Sequence, residues 1–146
     1  MSQTLVQPRC WGHVVNEVFD LRDSSDALGD VEELRRRMDA EGYLFLPGLL
    51  NREEVLDARR EVCSRLAAAG YLAPDADIME ARARPGMRYD KVMETVANGN
   101  PQLHSVLYSG PMMEFWREFL GGEVRHFDYT WFRTIFPGPG TASHCD

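Results

Sequence analysis

Cysteine is scarce in this sequence of 146 residues. The three present, Cys10, Cys63 and Cys145, form no CxxC pair and leave one thiol over from any pairing. That arithmetic argues against a disulfide framework and a structural zinc site, and reduced thiols are the expectation. Long hydrophobic runs are missing too, since none approaches the roughly 20 residues of a membrane span. The opening MSQTLVQPRCWGH has no basic start, no apolar core and no small-residue cleavage site. It does not read as a secretory signal, and a cytoplasmic location is the expectation. Basic charge is in deficit, with 16 Lys and Arg against 23 Asp and Glu and a net charge of −7. Binding to nucleic acid through phosphate contacts would need the opposite balance. The expected partner is a small-molecule substrate, with neither nucleic acid nor membrane, and the sequence leaves the oligomeric state open.

What is present suits an ordinary globular chain. The sequence is 44% hydrophobic and 27% charged, and its length fits one domain burying roughly 68–70% of its unfolded surface. Residues 1–29 read as an N-terminal arm in which HVVNEVFDL offers one short strand. Residues 30–123 are helix-rich. Asp30 and Glu33 pair as N-cap and capping-box acid, and Val31, Leu34 and Met38 recur at helical spacing before Gly42. YLFLPGLL, residues 43–50, predicts a buried strand followed by a turn at Pro47 and Gly48. Asn51 with Glu54 repeats the capping pattern, and Val55, Ala58, Val62, Leu66 and Ala69 line one face of a helix that ends at Gly70.

Residues 71–100 are rich in turn formers and read as a long loop with the length of a lid. Within it, ARARPGMRYDK gathers Arg82, Arg84, Arg88 and Lys91, either as a solvated basic loop or as a contact for an anionic substrate. Pro101 and Pro111 each suit a first helical turn, and Met112, Trp116, Phe119 and Leu120 mark a buried face that stops at Gly121 and Gly122. In the last part, residues 124–146, the stretch EVRHFDYTWFRTIF that begins one residue earlier predicts a long strand leading into a PGPG turn. Three strands are too few to close a β architecture, so the domain reads as unfinished.

The chemistry sits at His144 and Asp146. Side chains two apart on an extended segment point the same way and can grip one ion. An imidazole and a carboxylate are two of the three groups of the facial triad that holds Fe(II) with open positions. A second HxD, His126 and Asp128, lies inside the predicted strand, where the pair reads as hydrogen-bonded sheet residues. With a hairpin flanked by Phe136 and Thr141, His144 falls opposite about Arg133. His126 then lies roughly eight residues further along, about 26 Å at 3.3 Å per residue, too far to share a metal. His13 and His104 have no motif around them. Trp131 and Tyr129 share a face with Arg133 and read as core packing, and Cys145 points away from the metal.

The run RTIFPGPGTASHCD, residues 133–146, resembles the RxxxPGxGTxxHxD pattern of the phytanoyl-CoA dioxygenase family of Fe(II)/2-oxoglutarate oxygenases. EGYLFLPGLLNREEV, ahead of an amphipathic helix, is similar to that family's opening segment, so the likeness runs from about residue 30 to residue 146. The resemblance implies an α+β fold: the N-terminal part of a double-stranded β-helix, a cupin-like jelly-roll, with helices packed on its outer sheet and the barrel incomplete in this chain. It implies His144 and Asp146 as metal ligands, Fe(II) and O2 as cofactors, and 2-oxoglutarate as cosubstrate. Thr141, otherwise an ordinary strand-starting residue, is a candidate for the cosubstrate carboxylate. Arg133, otherwise a surface ion pair, is the second. A carboxylate at Asp146 suits hydroxylation rather than halogenation.

The family pattern also needs a distal histidine and an arginine about ten residues beyond it, and neither occurs here. The expectation is therefore a fragment of a dioxygenase that hydroxylates a small organic molecule, inactive without its C-terminal half. The alternatives are a non-catalytic helix-rich binding or regulatory module, and a cupin-like metal binder without oxygenase chemistry.

Overall fold

Three of the described helices begin at a side-chain cap, supplied by Asp30, Asn51 and Asn100. A computed structural model describes residues 9–10, 13–14, 20–86 and 94–135. Helix α1, Val31–Glu41, starts at Asp30, whose Oδ1 accepts from the Glu33 N–H at 3.0 Å. It ends at Gly42, which takes the left-handed φ of 77° that a side chain would resist. Helix α2, Arg52–Ala68, starts at Asn51, which accepts from the amides of Glu53 and Glu54. Those two acids sit against the positive end of the helix dipole. After the single turn α3, Glu94–Ala97, the helices α4, Pro101–Tyr108, and α5, Gly110–Leu120, each carry proline in the first turn.

Two apolar clusters hold the helices together. In the first, Ala27, Leu34 and Phe115 are buried, with Leu44, Leu46, Leu49 and Phe119 against them, so α1 and α5 close over the 43–50 turn. In the second, Leu66 of α2 and Val96 of α3 are buried against Val62, Tyr71, Leu72 and Phe132. Arginines tie the elements across these clusters. Arg35 of α1 donates to the Phe119 carbonyl with Nε at 3.0 Å and Nη2 at 2.7 Å, occupying an acceptor that the end of α5 leaves unpaired. Arg65 of α2 donates to the carbonyls of Thr95, Asn98 and Gly99, and Arg59 to that of Met79.

The sheet expected from the sequence is not found. Among the described residues the strands are β1, Arg9–Cys10, and β2, His13–Val14, an antiparallel pair in the N-terminal arm, with two isolated bridges, Asp23 to Phe45 and Leu72 to Ala83. Beyond that two-stranded pair no sheet or barrel is formed among the described residues, which overturns the jelly-roll reading and with it helices packed on a sheet. YLFLPGLL forms no strand: only Phe45 bridges, and Leu44, Leu46 and Leu49 serve as packing for α1 and α5. Residues 123–135 form no strand either. Their burial still alternates, with Thr130, Phe132 and Thr134 half-buried between exposed Tyr129, Trp131, Arg133 and Ile135. The strand periodicity is present, but no segment among the described residues supplies the ladder that makes a strand.

The expected loop over 71–100 is ordered where it is described. Ala73 N–H donates to Arg82 O and Arg84 N–H to Tyr71 O, folding the chain back on itself. Between these arms, Asp77 caps a 3-10 turn at Ile78–Glu80. Residues 87–93, including Arg88 and Lys91, lie outside the described residues.

Candidate functional site

Leaving α5 at Gly121, the chain runs back across α4 toward α2. Tyr108, the last residue of α4, holds it in two ways. Its ring stacks on His126, centroids 4.0 Å apart and planes 22° from parallel, and its hydroxyl lies 2.6 Å from Thr130 Oγ1. Two residues on, Phe132 packs into the second cluster. Thr134 and Ile135 then complete the wall of a cleft of about 420 Å³ against Leu66, Tyr71, Leu72 and Ala83.

Among the described residues, one charged side chain lines this cleft. Arg82 binds Asp75 through Nη2 at 2.8 Å in an exposed ion pair, and the guanidinium holds the Asp75 carboxyl below the usual carboxylate range. Arg84 makes no ion pair among the described residues, and its Nη1 lies 3.7 Å from where a side chain would begin at Gly70.

Of the site residues expected from sequence, Arg133 is described. It is exposed, and its guanidinium carbon sits 5.4 Å from the centre of the Trp131 ring, a cation–π contact in place of the surface ion pair. Thr141, His144 and Asp146, and the hairpin proposed to bring His144 near Arg133, lie outside the described residues. Tyr129 and Trp131, read as core, are 49% and 59% exposed, because the alternation places Thr130 and Phe132 inward instead.

The second HxD makes no metal pair. His126 is exposed and stacked on Tyr108, with Nδ1 2.8 Å from the Phe127 carbonyl. His104 also meets Tyr108, 5.6 Å between ring centres, and its Nε2 is buried without a hydrogen-bond partner among the described residues. No three His, Cys, Asp or Glu side chains converge among the described residues.

Tyr108 was not singled out by sequence reasoning. It is separated from His126 and Thr130 by a whole helix, and no spacing rule in the sequence links them.

No family model matches this chain, and no solved structure matches it. A 1-deoxypentalenic acid 11-beta-hydroxylase from Streptomyces arenae is 26% identical to it over 123 residues, 84% of the chain and 42% of that protein. The chain is similar to a hydroxylase. It spans about two fifths of the length of this curated relative. No helix among the described residues is long and apolar enough to cross a membrane.

Proposed function

We propose that this chain is part of an Fe(II)- and 2-oxoglutarate-dependent hydroxylase of the phytanoyl-CoA dioxygenase kind, acting on a small organic molecule. The observation that carries the reading is similarity to a hydroxylase over 84% of the chain. The run RTIFPGPGTASHCD adds the donor set. His144 and Asp146 offer one imidazole nitrogen and one carboxylate, the donor types that Fe(II) takes in a facial triad. Iron with 2-oxoglutarate supplies the O2-consuming oxidation, while the chain's own groups ligate and orient. Thr141 and Arg133 are assigned to the cosubstrate carboxylates. Arg133 suits this role because its exposed guanidinium forms no ion pair among the described residues, leaving a planar fork of donors for a carboxylate. The third iron ligand is expected from sequence corresponding to the rest of the relative's length.

The test uses the full-length gene product. Oxygen-dependent formation of succinate from 2-oxoglutarate is expected, reduced by His144→Ala on the order of 100-fold or more and retained in His126→Ala. Equal loss in both variants overturns the choice of motif. One observation favours a second reading, a non-catalytic binding module: Leu66 of α2, Tyr71, Leu72 and Ala83 of the following segment, and Ile135 together line an apolar cleft. Ligand binding by the full-length protein with no succinate formed would select it.

A further inference from the structure

The cleft beside α2 has the composition of a ligand site. Its walls, Leu66, Leu72, Ala83 and Ile135, are aliphatic and Tyr71 adds an aromatic face. Leu66 also belongs to the second buried cluster, so one wall is continuous with packed core. At about 420 Å³ the cleft falls within the size range of small-molecule sites. At roughly 30 Å³ per water-sized unit it accepts a ligand of about 10–15 non-hydrogen atoms.

Beside the hydroxyls of Tyr71 and Thr134, the lining carries a cationic group. In a chain of net charge −7, the single charged lining residue among the described residues is Arg82, with Arg84 two positions on. The Arg82 pair with Asp75 leaves both partners more than half exposed, and such a pair contributes little. The contact at 2.8 Å uses one of the five N–H donors of the guanidinium, so a carboxylate can be accepted without displacing Asp75.

We propose that this cleft binds a small apolar monocarboxylic acid, its hydrocarbon body against Leu66, Leu72 and Ile135 and its carboxylate on Arg82. The proposal does not rest on the iron reading. It concerns binding alone, and its failure leaves the His144 assignment untouched.

Titration calorimetry of the chain with decanoate and with decanol tests it. Decanoate is expected to saturate one site and to bind at least tenfold more tightly than decanol. Arg82→Gln weakens decanoate by roughly tenfold while changing decanol less than twofold, the signature of a charge contact rather than lost structure. Ala83→Trp, which places an indole in the cleft, abolishes binding of both. Ile135→Trp, from the opposite wall, does the same and serves where Ala83→Trp does not fold. The proposal is overturned by an absence of decanoate binding, by decanol binding as tightly, by indifference of decanoate to Arg82→Gln, or by full binding in a folded tryptophan variant.

Discussion

Arg37 is 5% exposed and still charged, because acids meet it on two sides. Asp26 accepts from Nη1 at 2.6 Å and from Nη2 at 3.0 Å, and Glu33 accepts from Nε at 2.8 Å. These bonds, the one to Asp26 foremost, raise the arginine pKa further and hold the Asp26 carboxyl below its usual range. Glu33 is drawn on by two arginines at once. The bidentate Arg36 contact, both bonds 2.7 Å, and then Arg37 pull its carboxyl from 4.5 to about 2. A carboxyl depressed in the folded state stabilises the fold fully above its unfolded pKa, and that contribution is lost as pH falls through the folded value. The urea midpoint is therefore expected to drop as pH is lowered from 4.5 to about 2. Glu33→Gln lowers the midpoint at neutral pH and flattens that drop; an unchanged slope in the variant would contradict the assignment. The sequence presents Glu33 as the acid of a capping box, and half of that box forms. Asp30 caps the Glu33 amide, but the Asp30 amide goes to the Ala27 carbonyl at 2.9 Å instead. Arginine donors, being charged, outcompete a neutral amide for the carboxylate.

At the scale of the elements, Asn100 shows how much of α4 depends on one side chain. It is fully buried, accepts from the Leu103 amide at 2.9 Å and donates to the Val96 carbonyl at 3.1 Å. Replacing it with alanine removes the cap and leaves a buried carbonyl unpaired, a loss of about 2 kcal/mol. Thermal unfolding followed by circular dichroism should show Asn100→Ala melting several degrees lower, and a melting point within error of the parent would refute the role. Helices were legible in the sequence because their signals are local: Asp30, Asn51, Gly42 and the two prolines each act within one turn. The extended segments were not. Residues 124–135 carry the alternation of a strand, yet a ladder needs a backbone partner, and none of the described segments pairs with them in that way.

Across the whole molecule, the segment 123–135 is pinned where Tyr108 meets His126 and Thr130 and where Phe132 enters the second cluster. Tyr108→Ala removes the stack and the hydroxyl contact together. Amide hydrogen exchange in 126–132 is expected to rise roughly tenfold, the equivalent of about 1.4 kcal/mol, with the protection of α1 and α2 unchanged. Uniform acceleration throughout would instead mean that Tyr108 supports the global fold. The iron-binding candidates were legible as a motif, but His144 and Asp146 lie outside the described residues. The cleft was not legible, because Leu66, Leu72, Ala83 and Ile135 come from four stretches that share no spacing rule. Arg59 and Arg65 grip the far reaches of the 71–100 segment by carbonyl oxygens alone. Every amino acid carries that oxygen, so these two grips are blind to spelling. At Met79, Thr95, Asn98 and Gly99 the side chains can change while the oxygens these arginines hold stay where they are.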